Sequence, residues 1–397
     1  MKYKLSELFE RPISGEWGKE LEEGKCGSKV IRTTNFTNIG RLNLNDVVER
    51  DIDIEKYEGK LLKIGDIIIE KSGGSPNQPV GRVVIFEENT SEKYFCNNFT
   101  SILRPKNIIT SKYALYLLKD LYNKRKVLKY QNKTTGIINL KLNDYLNNTE
   151  INIPSIEEQI KISTILGKSQ ELIDKRKEQI EVLDELVKSQ FIEMFGDPIL
   201  NPKNLEKSML QECCSKITDG THNTPKRLLE GKLLITGKNI RKDKIDLTDI
   251  EYVSEEDHEI IYKRCNPEYG DVLYTNIGVN YGTAIINNLD YEFSMKNVAL
   301  LKPDKTKITG IYLWHYLNLC RPYILEQNKS GGAQTFMSLA TVKRLNVLIP
   351  PIELQNQFSD FVKQTDKLKF EMEKSLKELE DNFNSLIQKA FNGELVN

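Results

Sequence analysis

The strongest constraint on this chain is a junction that it contains twice. "INIPSIEEQ" (Ile151–Gln159) recurs as "VLIPPIELQ" (Val347–Gln355) about 200 residues later, a period that indicates duplication of a whole domain rather than a solenoid. Each junction precedes a long run of charged and leucine-type residues. The chain is therefore expected to consist of two copies of one folding unit.

Similarity between the copies extends upstream of the junctions. "GDIIIEKSG" (65–73) resembles "GDVLYTNIG" (270–278), and "FCNNFTSILRP" (95–105) resembles "FSMKNVALLKP" (293–303). Gly-Asp before a β-branched run is typical of a turn that leads into a strand. With a short helix predicted after each of these blocks, each copy should begin with a strand-rich α+β domain.

Each junction is followed by a heptad pattern. Apolar residues, or residues that the interface of a helix pair tolerates, recur there at steps of three and four. The pattern predicts two long helices that pair with each other, and an antiparallel pair places a globular domain at each end. One extra residue between Met372 and Leu376 predicts a stutter in the second helix. The predicted seam positions are Ile162, Leu166, Ser169, Ile173, Arg176, Ile180, Leu183, Val187, Gln190 and Met194 in the first helix, and Phe358, Phe361, Thr365, Leu368, Met372, Leu376, Leu379, Phe383, Leu386 and Ala390 in the second.

The predicted fold is α+β, with two similar globular domains joined by two long antiparallel coiled-coil helices and related by pseudo-two-fold symmetry. The first globular domain is expected at 1–152 and the central helix at 153–197. The second globular domain is expected at 198–348, and the C-terminal helix at 349–397.

Composition limits the classes of function that this chain can have. The 397 residues include 57 basic and 57 acidic side chains, whereas a free-standing nucleic-acid binder is usually basic overall. Any DNA contact must therefore come from local patches or be shared with a partner. Six cysteines without a CxxC pair and three histidines give no zinc-ligand spacing. Because neither a signal peptide nor a membrane span is recognisable, a cytoplasmic location with reduced thiols is expected.

The duplication and its motifs resemble those of the specificity (S) subunits of type I restriction–modification systems, the HsdS family. The second copy has the phrases "ITDGTHNTP" (217–225) and "LLITGKNI" (233–240), and the first has "GEWG" (15–18) near its start. The first copy lacks a "DGTH" phrase, and Ile138 aligns with Gln334 of the second.

This resemblance implies two target-recognition domains, each of which reads one half of a bipartite DNA site. It also implies that the helices dock two methyltransferase (M) subunits, which bind S-adenosylmethionine, and that restriction (R) subunits add ATP- and Mg-dependent cleavage. The chain itself is then expected to hold no cofactor and to be non-catalytic.

Three phrases imitate catalytic motifs without completing them. "NPEYG" (266–270) lacks the second proline of the adenine methyltransferase loop, "GKLLITGKN" (231–239) has Asn239 where a P-loop needs Ser or Thr, and "EGK" (58–60) has only the composition of a nuclease site. His222 has no identifiable catalytic partner. Two alternatives stay open: a coiled-coil scaffold without a DNA role, and a DNA nuclease or methyltransferase.

Candidate DNA contacts lie in polar, glycine-containing loops. Arg and Lys suit guanine, and Asn and Gln suit adenine, because their paired groups match those base edges. The candidates in the first copy are Lys71, Ser72, Asn77, Gln78, Arg82, Gln131, Asn132, Lys133 and Thr134. Those in the second copy are Asp219, Thr221, His222, Thr224, Lys238, Asn239, Arg241, Asn276, Asn280, Tyr281, Lys329 and Gln334.

The helices offer a candidate surface for partner subunits. Apolar residues that the paired helices leave exposed would be available to an M subunit. The residues predicted for this role are Ile165, Leu172, Leu186, Phe191 and Phe361.

Overall fold

The computed structural model describes residues 1–75, 77–134, 137–278, 280–327 and 336–395, without the side chains of Lys133 and Thr134. Of the predicted DNA contacts, Lys329 and Gln334 and those two side chains lie outside the described residues. The chain divides into two compact units: unit 1 contains Met1–Arg176 and Ser375–Asn397, and unit 2 contains Lys177–Lys374. Each unit therefore combines one globular domain with parts of both long helices.

Unit 1 begins with the strand-rich domain that the sequence predicts. Its helices are α1 (Leu5–Leu8), α2 (Ser111–Asn123), α3 (Leu142–Asn147) and the start of α4 (Ile156–Phe195), with 3-10 turns at Thr33–Asn35, Glu58–Lys60 and Lys126–Tyr130. Its strands are β1 (Lys2–Lys4), β2 (Ile13–Ser14), β3 (Ser28–Ile31), β4 (Val48–Arg50), β5 (Ile67–Glu70), β6 (Ser72–Gly74), β7 (Val83–Ile85), β8 (Tyr94–Cys96), β9 (Thr100–Leu103), β10 (Gln131–Thr134), β11 (Ile137–Leu140) and β12 (Glu150–Asn152).

Unit 2 contains the corresponding elements of the second copy. Its strands are β13 (Glu206–Met209), β14 (Cys214–Asp219), β15 (Lys232–Thr236), β16 (Glu251–Val253), β17 (Val272–Tyr274), β18 (Ala284–Ile286), β19 (Ser294–Lys296), β20 (Ala299–Pro303) and β21 (Asn346–Ile349). Its helices are α5 (Leu210–Cys213), α6 (Glu255–Cys265), α7 (Gly310–Gln327), α8 (Leu339–Lys343) and most of α9 (Ile352–Asn392), which ends in unit 1.

The two units have the same sheet topology, which confirms the duplication. In unit 1 the order β2-β9-β5-β7 is antiparallel throughout, and in β4-β3-β8 the pair β3–β8 is parallel. Unit 2 repeats these sheets as β14-β20-β17-β18 and as β16-β15-β19, with β15–β19 parallel. The terminal pair β1–β12 corresponds to β13–β21. Unit 1 also has the sheet β10-β11-β6.

The repeated Gly-Asp turn carries a buried ion pair in both units. Arg104, directly after β9, donates to Asp66 Oδ2 at 2.7 Å, and Lys302 of β20 donates to Asp271 Oδ2 at 2.7 Å. Both carboxylates are almost fully buried, with 2% and 9% of the side chain exposed. Since removal of one partner would leave a buried charge unpaired, the pair explains why this turn is the same in both copies.

The repeated glutamine joins each long helix to its globular domain. Gln159 is completely buried, accepts a hydrogen bond from Thr110 N at 2.8 Å and donates to the carbonyls of Ile108 and Pro154. Gln355 accepts a hydrogen bond from Thr309 N at 2.8 Å and donates to the carbonyls of Lys307 and Pro350. The junction therefore fixes where each helix leaves its domain, and it aligns Thr110 with Thr309.

Local interactions fix both ends of helix α4. Ser155 and Glu158 form a reciprocal capping box, in which Ser155 N donates to Glu158 Oε2 at 2.9 Å and Glu158 N donates to Ser155 Oγ at 3.3 Å. At the other end Gly196 has a φ of +80°, which stops the helix directly after Phe195.

Segments of α4 and α9 pack against each other within each unit. In unit 2 Lys369 Nζ donates to Asp184 Oδ1 at 2.6 Å, and the rings of Phe191 and Phe358 are 5.4 Å apart. Asp184 precedes Phe191 in α4, whereas Lys369 follows Phe358 in α9. The two segments are therefore antiparallel in unit 2. In unit 1 the α4 residues Ile162, Leu166 and Ile173 share a core with Phe383, Ile387 and Ala390 of α9.

The seam prediction for α9 is wrong in its first half. Val362 is 1% exposed where Phe361 was predicted, and Leu368 is 48% exposed while Lys369 turns into the helix pair with 15% of its side chain exposed. With Val362 and Lys369 in the seam, the steps alternate between four and three from Phe358 to Phe383, so the extra residue predicted between Met372 and Leu376 is absent. The next buried residue is Ile387, four residues further along, where Leu386 was predicted. Lysine was overlooked because its apolar stem can be buried while its ammonium group reaches an acid.

No helix within the described residues is long and apolar enough to cross a membrane.

Candidate nucleic-acid interface

The "DGTH" turn of unit 2 has a structural counterpart in unit 1. Gly15, after β2, donates its N–H to Thr100 O, and Gly220, after β14, donates to Val298 O. A Cβ on Gly15 would lie 2.1 Å from Asn97 O, and one on Gly220 would lie 2.0 Å from a backbone carbonyl as well. Only glycine fits this close approach. The first copy lacks the "DGTH" phrase but has the same turn, in which "SGEW" (14–17) takes the place of "DGTH" (219–222).

In unit 2 this turn carries a network of polar side chains. His222 Nε2 lies 2.7 Å from Asp219 Oδ2, and its Nδ1 lies 3.1 Å from Asn297 Oδ1. The other oxygen of the buried Asp219 accepts a hydrogen bond from Arg264. Next to them Lys296 Nζ donates to Thr224 Oγ1 at 2.5 Å. Asp219 is thus an orienting group, while His222 and Arg264, with 55% and 52% of their side chains exposed, face solvent.

In unit 1 the same backbone turn carries different chemistry. The guanidinium of Arg50 lies 4.1 Å from the centre of the Trp17 ring, a cation–π contact. Lys60 donates to Glu16 at 2.7 Å, which lowers the pKa of that carboxyl group. Lys71 Nζ donates to Ser14 Oγ at 2.7 Å, and burial lowers the pKa of the lysine. The scaffold is therefore common to both units, and the side chains on it are not.

Asn239 has a structural role instead of the predicted base contact. It is 2% exposed, its Oδ1 accepts from Thr236 N at 3.0 Å, and its Nδ2 donates to Asp246 O at 3.0 Å. Asn35 makes the same bonds in unit 1, with Arg32 N and Asp46 O. Because both ends of the amide are occupied, this asparagine shapes the turn and does not read bases.

Arg82 is likewise part of the scaffold. It makes a bidentate ion pair with Glu70, at 2.9 and 3.1 Å, and also donates to Thr33 O. Glu70 has 4% of its side chain exposed, so the pair is held in a water-poor environment. Unit 2 has Thr275 and Thr283 at the positions of Glu70 and Arg82. The backbone shows this equivalence, because Thr275 N donates to Thr283 O and Glu70 N donates to Arg82 O.

The other candidates in unit 1 differ in their accessibility. Asn77, Gln78 and Asn132 are exposed. Ser72 is buried and donates to Asn139 Oδ1 at 2.6 Å, and Gln131 donates to Val80 O at 3.1 Å. The exposed residues remain candidates for base contacts, whereas Ser72 and Gln131 support the loops.

Among the candidates of unit 2, Lys238 and Arg241 make surface ion pairs. Lys238 Nζ is 3.1 Å from both Asp249 and Glu251, which raise its pKa, and Arg241 is 3.5 Å from Asp246. Thr221 and Thr224 lie on the turn beside His222.

Residues 274–276 and Tyr281 are buried, and some of their polar atoms lack hydrogen-bond partners in the described part of the chain. Asn276 donates to Met337 O, and Asn280 donates to the carbonyls of Gly237 and Ile240. Within the described residues Tyr274 Oη, Thr275 Oγ1, Asn276 Oδ1 and Tyr281 Oη have no hydrogen-bond partner. Such atoms cost stability and are a feature of functional segments.

Unit 1 also has a basic cluster that was not among the residues predicted from the sequence. Arg125, Lys126 and Lys129 are exposed, and none of them has an acidic partner among the residues that the structure describes. The cluster adjoins the 75–82 loop, because Tyr122 Oη donates to Pro79 O at 2.9 Å and Val127 packs against Gly81. The run "KRKVLK" (124–129) was the available signal.

Three of the residues predicted for a partner surface on α4 are exposed. Ile165, Leu172 and Leu186 have 38%, 55% and 45% of their surface exposed. Phe191 is 1% exposed and packs on Phe195, Tyr312 and Phe358, so its assignment to a partner surface is wrong. Helical spacing did not reveal that this end of α4 is covered by the globular domain as well as by α9. Phe361 is half-buried.

Together, the duplicated domain and the repeated turn define a class of proteins with two equivalent recognition domains on long helices. A family model described as "Type I restriction modification DNA specificity domain" matches residues 1–183 and 203–381. The chain belongs to this family.

Curated relatives agree with this assignment. The StySPI type I restriction enzyme specificity subunit of Salmonella potsdam is 23% identical over 402 residues, which cover 92% of this chain and 82% of the relative. The MjaIX specificity subunit of Methanocaldococcus jannaschii is 23% identical over 345 residues, covering 80% and 76%.

Solved structures share the fold. The S subunit of the type I system of M. genitalium has a TM-score of 0.58 and 19% identity, over 98% of this chain and 96% of that one. A chain from a study of complex assembly and conformational transition of the type I R-M system has a TM-score of 0.59 and 16% identity, over 100% and 98%.

Proposed function

We propose that the chain is the DNA-specificity subunit of a type I restriction–modification complex, in which each unit reads one half of a bipartite DNA site. One observation carries the proposal: the same glycine-anchored turn presents Glu16 and Trp17 in unit 1 but Thr221 and His222 in unit 2. A constant backbone with variable side chains suits two domains that read different sequences in the same way.

We assign to partner subunits the chemistry of this complex. M subunits supply S-adenosylmethionine and adenine methylation, R subunits supply ATP- and Mg-dependent cleavage, and this chain supplies sequence recognition without a cofactor of its own. The complex acts on double-stranded DNA in the cytoplasm.

The exposed apolar residues of α4 are the proposed contact surface for two M subunits. Ile165, Leu172 and Leu186 are large, exposed side chains on an otherwise charged helix. Because each is already about half buried, burial of the remaining surface would contribute roughly 1 kcal/mol per side chain to association.

The test is to co-express the chain with the adenine methyltransferase subunit of its system and to map methylated adenines. Methylation at one bipartite sequence is expected only when both chains are present. The chain alone should transfer no methyl group to DNA. Methylation that is independent of this chain, or by this chain alone, would refute the proposal.

A further inference from the structure

A groove in unit 1 has no role in the function proposed above. It has a volume of about 560 Å³ and lies between α2, α4 and the loop that follows the Thr33–Asn35 turn. Ile39, Leu115, Ile160, Ser163 and Gly167 contribute to its walls. Its volume falls in the range of protein ligand sites, roughly 300–1,000 Å³.

Two buried hydroxyl groups in this groove lack hydrogen-bond partners among the described residues, Thr110 Oγ1 and Ser163 Oγ. Ser163 is only 6% exposed, so bulk water does not replace the missing bond. The equivalent hydroxyls of unit 2, Thr309 Oγ1 and Ser359 Oγ, bond to each other at 3.1 Å. The same pair is thus satisfied in unit 2 and unsatisfied in unit 1, where the two hydroxyl groups lie beneath the surface of the groove.

Unit 2 fills the corresponding position with an aromatic ring. Trp314 follows Thr309 at the same spacing as Leu115 follows Thr110, because the two glutamine junctions align the helices. The indole is 7% exposed and donates from Nε1 to Lys242 O at 3.2 Å. With leucine at this place, unit 1 lacks the ring.

The helix α4 side of the groove is also open. A Cβ on Gly167 would meet only Tyr116 Oη, at 3.9 Å. The equivalent position of α9 is Lys363, an exposed lysine that pairs with Asp360. Glycine inside a helix costs stability relative to other residues, so its presence here needs a local reason, and access to the groove provides one.

We propose that this groove receives an aromatic side chain of the methyltransferase subunit, and that unit 1 therefore holds its M subunit by a contact that unit 2 makes internally with Trp314. The proposal rests on the proposed function. The groove is continuous with the exposed surface of α4, because its wall residue Ile160 is 53% exposed and Ile165, further along the same helix, is 38% exposed.

A larger side chain in place of Gly167 on α4 would fill the groove, and binding of the purified M subunit is then measured. Gly167→Leu places a side chain in the open space and favours the helix. Lys363→Leu makes the matched change in unit 2. We expect Gly167→Leu to weaken binding of one of two M subunits about tenfold, as loss of a buried anchor does, and Lys363→Leu to leave both unchanged. Thermal unfolding at or above the wild-type temperature confirms that each variant folds.

A photoreactive residue in place of Lys168, at the groove, identifies the occupant. Crosslinking of the wild-type complex should capture an M-subunit peptide that contains Trp, Tyr or Phe. Full affinity of folded Gly167→Leu for both M subunits would overturn the proposal, as would capture of a second copy of this chain. If wild-type protein binds no M subunit at all, the proposed function fails instead.

Discussion

The side-chain oxygen of Gln159 accepts a hydrogen bond from the backbone N–H of Thr110 at 2.8 Å, which ties the start of α4 to the start of α2. The amide nitrogen of the same side chain donates to two carbonyls, so all of its bonds serve the junction. This single buried side chain explains why the Ile-Pro-x-Ile-Glu-x-Gln phrase recurs at Gln355.

Replacement of this glutamine should therefore destabilise unit 1. Gln159→Ala removes the partner of the Thr110 N–H and of the carbonyls of Ile108 and Pro154, and we expect the free energy of unfolding to fall by roughly 2–4 kcal/mol. Urea denaturation measures this change. Gln364→Ala, at an exposed position of α9, is the control and should change stability by less than about 0.5 kcal/mol. Equal effects of the two variants would contradict the structural role.

Lys369 should be replaceable by an apolar residue. Its stem lies in the helix pair with 15% of the side chain exposed, while its partner Asp184 is 62% exposed and can return to water. Lys369→Leu should therefore keep the free energy of unfolding within about 1 kcal/mol of wild type, because a solvated ion pair contributes little. Lys369→Glu, which opposes Asp184, should be clearly destabilising in the same denaturation assay. A large loss in the leucine variant would show that the ion pair itself holds the helices.

Lys119 should make stability depend on pH. Burial lowers the pKa of its amine to about 8, compared with 10.5 for a free lysine, and the Nζ donates to Ile39 O at 2.7 Å. The folded protein releases this proton more readily than the unfolded chain. The stability of wild type relative to Lys119→Met should therefore rise as the pH increases from about 8 to 10.5, by up to about 3 kcal/mol.

Chemical denaturation of both proteins across this pH window measures the difference. Lys106→Met removes an exposed lysine and serves as the control, whose stability should track that of wild type. A constant difference between wild type and Lys119→Met would show that the amine keeps its ordinary affinity for protons.

The two recognition turns should act on separate half-sites. His222→Ala removes an exposed ring that Asp219 orients, and Trp17→Ala removes the ring under Arg50. Each change should relax one half of the methylated sequence, by about 1–3 kcal/mol of discrimination if a base contact is lost, and leave the other half intact. Sequencing of methylated adenines reads both halves in one experiment. Equal loss at both halves would contradict independent reading.

The basic cluster should contribute affinity without specificity. In the complex with M subunits, the double variant Lys126→Gln/Lys129→Gln should reduce the slope of log K against log salt by about 1.8, near 0.9 for each lost phosphate contact. The preferred DNA sequence should not change. Lys124→Gln is the matched control, because Lys124 already pairs with Asp120 at 2.8 Å. An unchanged salt slope would place the cluster away from DNA.

Two side chains that were predicted to contact bases are held by other groups of the protein. Arg82 and Asn239 have the right chemistry for reading bases, yet Glu70 and the Thr236 turn occupy their polar groups. A free donor and an occupied donor look the same in a sequence, since the partner is supplied by a distant strand or turn. The match between "SGEW" and "DGTH" was hidden for the related reason that only the glycine is shared.

The sequence by itself determined the duplication, the α+β class, the two long helices and the family, because these depend on local periodicity, turn residues and repeated phrases. Tertiary structure alone decided which helix face is buried and which polar groups stay free. Phe191 and Lys369 show why: burial is a sum over neighbours brought from elsewhere in the chain, so a phenylalanine became core and a lysine entered the helix pair. No spacing rule along one helix contains that information.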